Sequence, residues 1–419
     1  MNFKYITTTQ PLGGRIKQIP QDFRVSEIGV DYVTSIKYLP YKKVEGIDWD
    51  FIFKNKPKDK DYLIVDMEKI NTTTTSAINQ LSRFIHVSRK KINYAGLKDK
   101  RSISSQRLSI YNPEKDRISK FLYKNIKIYN PFWSSEDISI GKLKANRFEI
   151  TIRQIENKSK NDIKKIVLEA FKEIKDKSLI NYFGEQRFGG IREITHKVGK
   201  LILMKRYKEA VILYLTATSS YENKEIQDAR NSLKETLDFR KHAAHFPSRT
   251  GYEIAMLNYL SNNPDDFLGA LKVLPKAMQY LFTHAYQSYL FNELINLRFE
   301  KGFGLEKIPG DKIIDGKVYL PLFGFESKFS ESTAGELEKE ILKKENISFN
   351  HFRNSEYSVV SSKGEFRRLT TTVDDLKLID ISEDELNEGM LKATVSFVLN
   401  KGQYATVLMR ELIKKEIIG

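Results

Sequence analysis

One carboxylate stands among three cations in Gly96-Leu97-Lys98-Asp99-Lys100-Arg101, the stretch of this chain best equipped for chemistry. Positive charge nearby favours an ionised carboxylate, so Asp99 would be available at neutral pH as a nucleophile or a general base. The same six residues also suit a solvated basic turn in which Asp99 bonds its own backbone. Spacing alone leaves both readings open.

Other chemistries find less support. The six histidines are scattered, and the close pair His242 and His245 has no acidic third ligand at a recognisable interval, so no metal site is expected. Residues 310–317 lack the spacing and the hydroxyl of a phosphate-binding loop. Within them, Asp315-Gly316 reads as a hairpin turn between residues 313–314 and 318–320. There is no Gly-x-Ser-x-Gly elbow, and no glycine-rich strand-turn-helix that would bind a methyl donor. With no cysteine in the chain, disulfides, thiolate catalysis, iron–sulfur clusters and cysteine zinc sites are excluded.

The elements around Asp99 can be read from periodicity. Phe23, Val25 and Glu27 alternate with Asp22, Arg24 and Ser26, the pattern of a half-buried strand entered after Pro20. Residues 72–76 form a capping run, after which Ile78, Leu81, Phe84 and Ile85 share a helical face. That helix feeds the basic loop from Tyr94 to Arg101, which leads to a strand-like stretch around Leu108 and Ile110. Phe148, Ile150 and Ile152 mark another strand, and Ile163, Ile166, Ala170 and Ile174 an amphipathic helix. Beyond about Gly190 helical patterns dominate, notably over residues 278–299. Strand character returns at residues 393–399, and a short helix through Leu408, Leu412 and Ile413 ends the chain. A tail of this kind would be natural if it completed the first domain.

Length and charge bound the rest. The 419 residues suffice for two or three domains, and 40% apolar residues can build their cores. Lys and Arg number 70 against 54 Asp and Glu, a formal charge of +16. That excess favours a polyanionic partner such as nucleic acid, because phosphate-neutralising cations release counterions. Residues 1–10 have no apolar signal core and no run of 18 apolar residues occurs, so a cytoplasmic protein without membrane contact is expected.

Several motifs then carry a resemblance over nearly the whole chain. Ala95-Gly96-Leu97-Lys98-Asp99-Lys100, followed by Gln106, resembles the Ala-Gly-x-Lys-Asp signature of the TruD pseudouridine synthases. Lys17-Gln18-Ile19-Pro20-Gln21-Asp22-Phe23-Arg24-Val25-Ser26-Glu27 is similar to that family's opening strand, and Ala145-Asn146-Arg147-Phe148 to its Gly-Asn-x-Phe element. The most distinctive match is Asn181-Tyr182-Phe183-Gly184-Glu185-Gln186-Arg187-Phe188-Gly189. His284-Ala285-Tyr286-Gln287-Ser288 and Lys401-Gly402-Gln403-Tyr404-Ala405-Thr406 extend it to the C-terminus. The departures are modest: Gln21 replaces an acidic residue, Ala145 a glycine, Ser102 and Ser104 the usual Ala and Thr, and Asn400 a proline.

The resemblance implies an α+β protein with the pseudouridine synthase fold, a mixed and mostly antiparallel sheet flanked by helices. It also implies an inserted α/β domain. Residues 1–185 would begin the catalytic domain, 186–370 form the insertion, and 371–419 complete the first. The implied activity is isomerisation of a tRNA uridine to pseudouridine without a cofactor, at position thirteen or at the anticodon uridine of tyrosine tRNA. Asp99 would be the catalytic carboxylate, with Lys17 beside it, Phe148 stacked on a uridine swung out of the RNA, and Asn146 positioning that base or the Asp99 loop. Lys98, Lys100, Arg101 and Arg187 are candidate phosphate contacts, and Gln186 would line the substrate cleft with the rest of its loop. tRNA is the implied partner, with no protein partner and a monomer by default. A non-catalytic RNA-binding protein on the same scaffold is the alternative, and the intact carboxylate motif argues against it.

Overall fold

The computed structural model describes residues 3–37, 46–139 and 142–415. Two compact units are present. One comprises Thr7–Leu179 and the described residues from Thr372 onward; the other comprises Ile180–Thr371 and the described residues before Thr7. Among the described residues, no helix is long and apolar enough to cross a membrane.

The first unit is built on one eight-stranded sheet: β1 (Phe23–Ile28), β2 (Tyr62–Ile70), β3 (Ile92–Tyr94), β4 (Ile103–Tyr111), β5 (Ile126–Ser134), β6 (Ala145–Ile155), β7 (Asp374–Glu383) and β8 (Leu391–Asn400). The order is β7-β8-β6-β1-β4-β2-β5, with β3 added beside β4. The β1–β4 pair at its centre is parallel, and the other pairs are antiparallel. This is the mixed, mostly antiparallel sheet that the sequence implied, with two of its strands drawn from the tail.

Among the helices that accompany it are α1 (Thr74–Ile85), α2 (Lys160–Lys177) and α3 (Ala405–Ile413). Thr73 caps α1 by accepting a hydrogen bond from the Ser76 amide, so the capping run starts a helix as its residues suggested. Ser159 and Asp162 form a reciprocal capping box on α2. Ala77, Ile78, Leu81 and Ile85 of α1 bury against Leu63, Val65, Met67, Leu108 and Ile110 of the sheet. Each buried Leu, Ile, Val or Met side chain among them contributes roughly 2 kcal/mol by leaving water. Phe84, expected on the same face, instead turns toward solvent and meets Phe121 edge to face with ring centroids 5.3 Å apart.

A buried ion cluster ties β6 to both chain segments that flank it. Arg153, 4% exposed, donates through Nε to Asp22 Oδ1 at 2.7 Å, through Nη1 to Asp384 Oδ1 at 2.7 Å and through Nη2 to Glu385 Oε1 at 3.0 Å. Asp22 also accepts from the Ile19 amide, and Asp384 from the Gln154 amide and the Asn387 side chain.

The second unit is mainly helical, with a three-stranded antiparallel sheet of Lys312–Ile314, Lys317–Leu322 and Glu365–Arg368. The Asp315-Gly316 turn joins the first two strands with both residues at positive φ, 48° and 70°. Such a turn is where Asp-Gly is favoured. The helix Lys276–Glu300 carries the unit's core, burying Phe282, Tyr286, Leu290, Phe291, Leu294 and Ile295. His242 and His245 lie on the helix Phe239–His245, where one bonds Thr236 and the other the Lys241 carbonyl.

Gly199, on the helix Thr195–Leu203, lets the long helix approach closely: a Cβ there would stand 2.1 Å from the Phe282 carbonyl oxygen. The obstacle is main chain, so neither helix can yield by a rotamer change. Gly199→Ala is therefore expected to lower stability by about 2–3 kcal/mol despite the higher helix propensity of alanine. Thermal unfolding of the purified variant measures this, and an unchanged midpoint would refute the close-packing account.

Candidate active site

The strand register assembles a polar site on one face of the first unit's sheet. Residues opposite one another in a sheet point to the same side. Lys69 of β2 pairs with Ser104 of β4, Ser104 with Val25 of β1, Val25 with Phe148 of β6, and Phe148 with Phe397 of β8. One residue row thus crosses five strands. The neighbouring row brings Gln106, Glu27 and Asn146 to the same face.

The loop carrying Asp99 joins β3 to β4 and is tied to this face at several points. Gln106 Nε2 donates to the Gly96 carbonyl at 3.1 Å, while its Oε1 accepts from the Thr74 hydroxyl at 2.9 Å. Thr74 in turn accepts from the Lys98 amide at 3.0 Å. The Asp99 carbonyl accepts from Lys69 Nζ at 2.6 Å and from the Ser102 hydroxyl at 2.8 Å. Lys69 Nζ also donates to the Thr72 carbonyl at 2.8 Å. A loop bonded at successive residues pays its ordering cost on folding, before any ligand arrives.

The Asp99 carboxylate faces Lys17, whose Nζ donates to Oδ2 at 2.8 Å. Lys17 is 5% exposed and Asp99 30%, so the carboxylate is the half of the pair that a substrate can reach. The ammonium also lies 4.2 Å from the centroid of the Phe23 ring. An ammonium so near favours the charged carboxylate, the form needed for attack or proton abstraction.

Behind this pair lies a second, fully buried one. Lys98 Nζ donates to Glu27 Oε2 at 2.8 Å, with the two side chains 3% and 0% exposed. Glu27 Oε1 accepts from the Tyr32 hydroxyl at 2.8 Å and the Arg107 amide at 3.2 Å. Burial, with the Glu27 charge behind it, pushes the Tyr32 phenol well above its ordinary value. The expectation that Lys98 meets phosphate is corrected here: its ammonium is turned inward because Glu27, buried on the adjacent strand, needs a counter-charge.

The remaining expected residues fall in different places. Lys100 and Arg101 are exposed, and Arg101 Nη2 donates to the Gln18 carbonyl at 2.8 Å. Asn146 and Phe148 share the sheet face with Lys69, and Asn146 Oδ1 is buried without a hydrogen-bond partner among the described residues. Phe148 is only 8% exposed; Phe397 stacks beside it at 5.4 Å and Phe23 meets it edge-on at 5.9 Å. Gln186 and Arg187 belong to the other unit, where Arg187 Nε donates to the Ser288 hydroxyl at 3.1 Å and its guanidinium lies 5.6 Å from the Phe183 ring. The sequence reading missed Lys69 and gave Glu27 and Gln106 no role. Lys69 had a visible signal: it continues the inward positions of Leu63, Val65 and Met67 as a charge among apolar residues.

Comparison with known proteins bears on the family. The family model described as tRNA pseudouridine synthase D (TruD) matches residues 2–318 and 312–412. A Methanosarcina acetivorans protein named "Probable tRNA pseudouridine synthase D" is 32% identical over 442 residues, covering 98% of this chain and 95% of that protein. A Methanocaldococcus jannaschii protein, "Probable tRNA pseudouridine synthase D 1", is 33% identical over 416 residues, covering 99% and 98%. The crystal structure of a Methanosarcina mazei protein described as a tRNA pseudouridine synthase D (TruD) superposes with a TM-score of 0.75 at 32% identity, covering 99% of this chain and 96% of that one.

Proposed function

The chain belongs to the TruD family of tRNA pseudouridine synthases, isomerases that convert uridine to pseudouridine, and from that premise we propose that Asp99 carries the reaction at position thirteen of tRNA. The observation that supports the catalytic assignment is the Lys17–Asp99 pair, in which a buried ammonium holds a partly exposed carboxylate at 2.8 Å on a loop fixed by its own hydrogen bonds.

Pseudouridylation breaks the bond between C1′ and N1, turns the uracil, and rejoins it through C5, with the C5 proton given up and N1 regaining one. Two roles suit Asp99. As a nucleophile it attacks C1′ while the C1′–N1 electron pair leaves on uracil; as a base it removes the C2′ proton as that bond breaks. Phe148 would meet the turned-out base at the part of its ring that Phe23 and Phe397 leave open, and the unfilled Asn146 Oδ1 would accept from the uracil N3–H. Lys100 and Arg101, both exposed beside Asp99, would meet the phosphates on either side of the target nucleotide. The sheet unit would be the catalytic domain and Ile180–Thr371 the insertion. The cytoplasm, where tRNA is plentiful, would be its compartment.

Incubation of the purified protein with unmodified tRNA transcripts, followed by carbodiimide labelling and primer extension, tests the site assignment. The expected stop lies at position thirteen of the D-arm, with a stop at the anticodon uridine of tyrosine tRNA as the second candidate. Modification confined to any other uridine would overturn the assignment.

A further inference from the structure

Lys69 is a fully buried ammonium, 0% exposed, at the inward position where β2 reaches the active-site face. Burying a charge is costly unless it is paired or hydrogen-bonded. The other two lysines of this site each have a carboxylate: Lys17 has Asp99 and Lys98 has Glu27. Among the described residues Lys69 forms no ion pair, and its ammonium donates to two main-chain carbonyls, those of Asp99 and Thr72. Three buried ammonium groups therefore share two carboxylates, which leaves one surplus positive charge among the buried groups of this face.

We infer that Lys69 is a positioning residue for the isomerisation, an ammonium that clamps the main chain of Asp99 and supplies the surplus charge against which uracil departs. The inference rests on the assignment of catalysis to Asp99. The chemistry gives that surplus a use. When the carboxylate forms its bond to C1′ or takes a proton, its own negative charge is consumed, and the C1′–N1 electron pair leaves as negative charge on uracil. Lys17 and Lys69 then remain as cations while the anion turns and re-adds. A fixed charge in a water-poor site stabilises such an intermediate without reorganising.

Clamp and charge can be separated experimentally. Burial lowers the Lys69 ammonium to about 8, Lys98 adding to the shift and Asp99 opposing it. The charged groups around it are Asp99 and Lys98 on the loop, with Lys17 bound to the first and Glu27 of β1 to the second. A neutral amine keeps two N–H donors, so both carbonyl bonds survive deprotonation while the charge does not.

The test is the single-turnover rate on a tRNA transcript, with enzyme in excess, from near-neutral to alkaline pH. Wild type is expected to slow with a midpoint near pH 8 as Lys69 loses its proton. Lys69→Arg, charged throughout, is expected to lose that midpoint while keeping activity. Lys69→Met is expected to be slower by roughly 100-fold near neutral pH with unaltered tRNA affinity and no midpoint there. A wild-type rate flat across that range, a midpoint unmoved in Lys69→Arg, or a Lys69→Met variant as fast as wild type would each overturn the inference. The wild-type profile needs no variant, so a failure of Lys69→Met to fold does not decide the matter. Asp99→Asn in the same assay keeps the two questions apart. If it turns over, the assignment of Asp99 fails; if it is dead while Lys69→Met is unimpaired, the inference about Lys69 fails alone.

Discussion

Asp99→Asn is expected to abolish pseudouridine formation, lowering the single-turnover rate by at least about 10,000-fold while tRNA is still bound. Asparagine is nearly isosteric and its amide oxygen can still accept from Lys17, so the loop should keep its shape. What disappears is the charged oxygen, and with it both the nucleophilic and the basic role. Removing one negative charge from a basic surface should, if anything, tighten the complex with a polyanion, most visibly at low salt. Binding measured by filter retention and turnover measured by carbodiimide labelling should therefore separate cleanly. Substantial residual turnover would refute the assignment, and parallel loss of binding and turnover would point to a collapsed loop, which a thermal midpoint detects.

The second large effect concerns stability. Arg153→Met is expected to destabilise the sheet unit by roughly 3–5 kcal/mol, because Asp22 and Asp384, 1% and 0% exposed, would lose the guanidinium that compensates them. A drop in thermal midpoint of about 10 °C follows for a unit of this size. Adding Asp22→Asn and Asp384→Asn to Arg153→Met should recover part of the loss, since neutral amides tolerate burial better than bare carboxylates. The pH dependence has a definite sign. The Arg153 guanidinium and Lys392 hold the Glu385 carboxyl down to about 2 from an ordinary value of 4.5. A depressed carboxyl stabilises the fold above its unfolded pKa and ceases to do so as pH falls through its folded one. Wild type should thus lose this contribution on acidification from about pH 4.5 toward pH 2, and the gap between wild type and Arg153→Met should narrow there. An equal gap at neutral and acid pH would show that the cluster is not what holds the segments together.

How much of this was legible in the residues depends on the range over which each feature is determined. Local features were readable. Asp315-Gly316 announced its turn because few other dipeptides accept positive φ twice, and the helical pattern over residues 278–299 announced the helix Lys276–Glu300. Side-chain direction was readable where alternation was clean, as in β6, but not on α1, where Phe84 fits the apolar stripe yet finds Phe121 outside it. Pairing across long separations was not readable. Nothing in residues 23–28 says that β1 lies parallel to β4, and the inward turn of Lys98 follows from Glu27, which is 71 residues earlier. Asp99 was singled out as the catalytic candidate only because its neighbours resemble a known signature; its six-residue neighbourhood alone fits an ordinary turn. The partners that fix it in place, Lys17 and Lys69, come from elsewhere in the chain.

The sheet's construction from two distant stretches of chain has a bearing on biosynthesis. Its outer pair, β7 and β8, lies C-terminal to the whole of Ile180–Thr371, and β8 is the strand that covers the flank of β6. About 235 residues separate Ile155 from Leu391, so on a ribosome adding roughly 5–20 residues per second that flank stays bare for some 10–50 seconds. During that interval a nascent polypeptide exposes main-chain donors and acceptors along an incomplete sheet edge, the kind of surface that recruits chaperones or neighbouring chains. Truncations ending before Leu391 should consequently accumulate in the insoluble fraction.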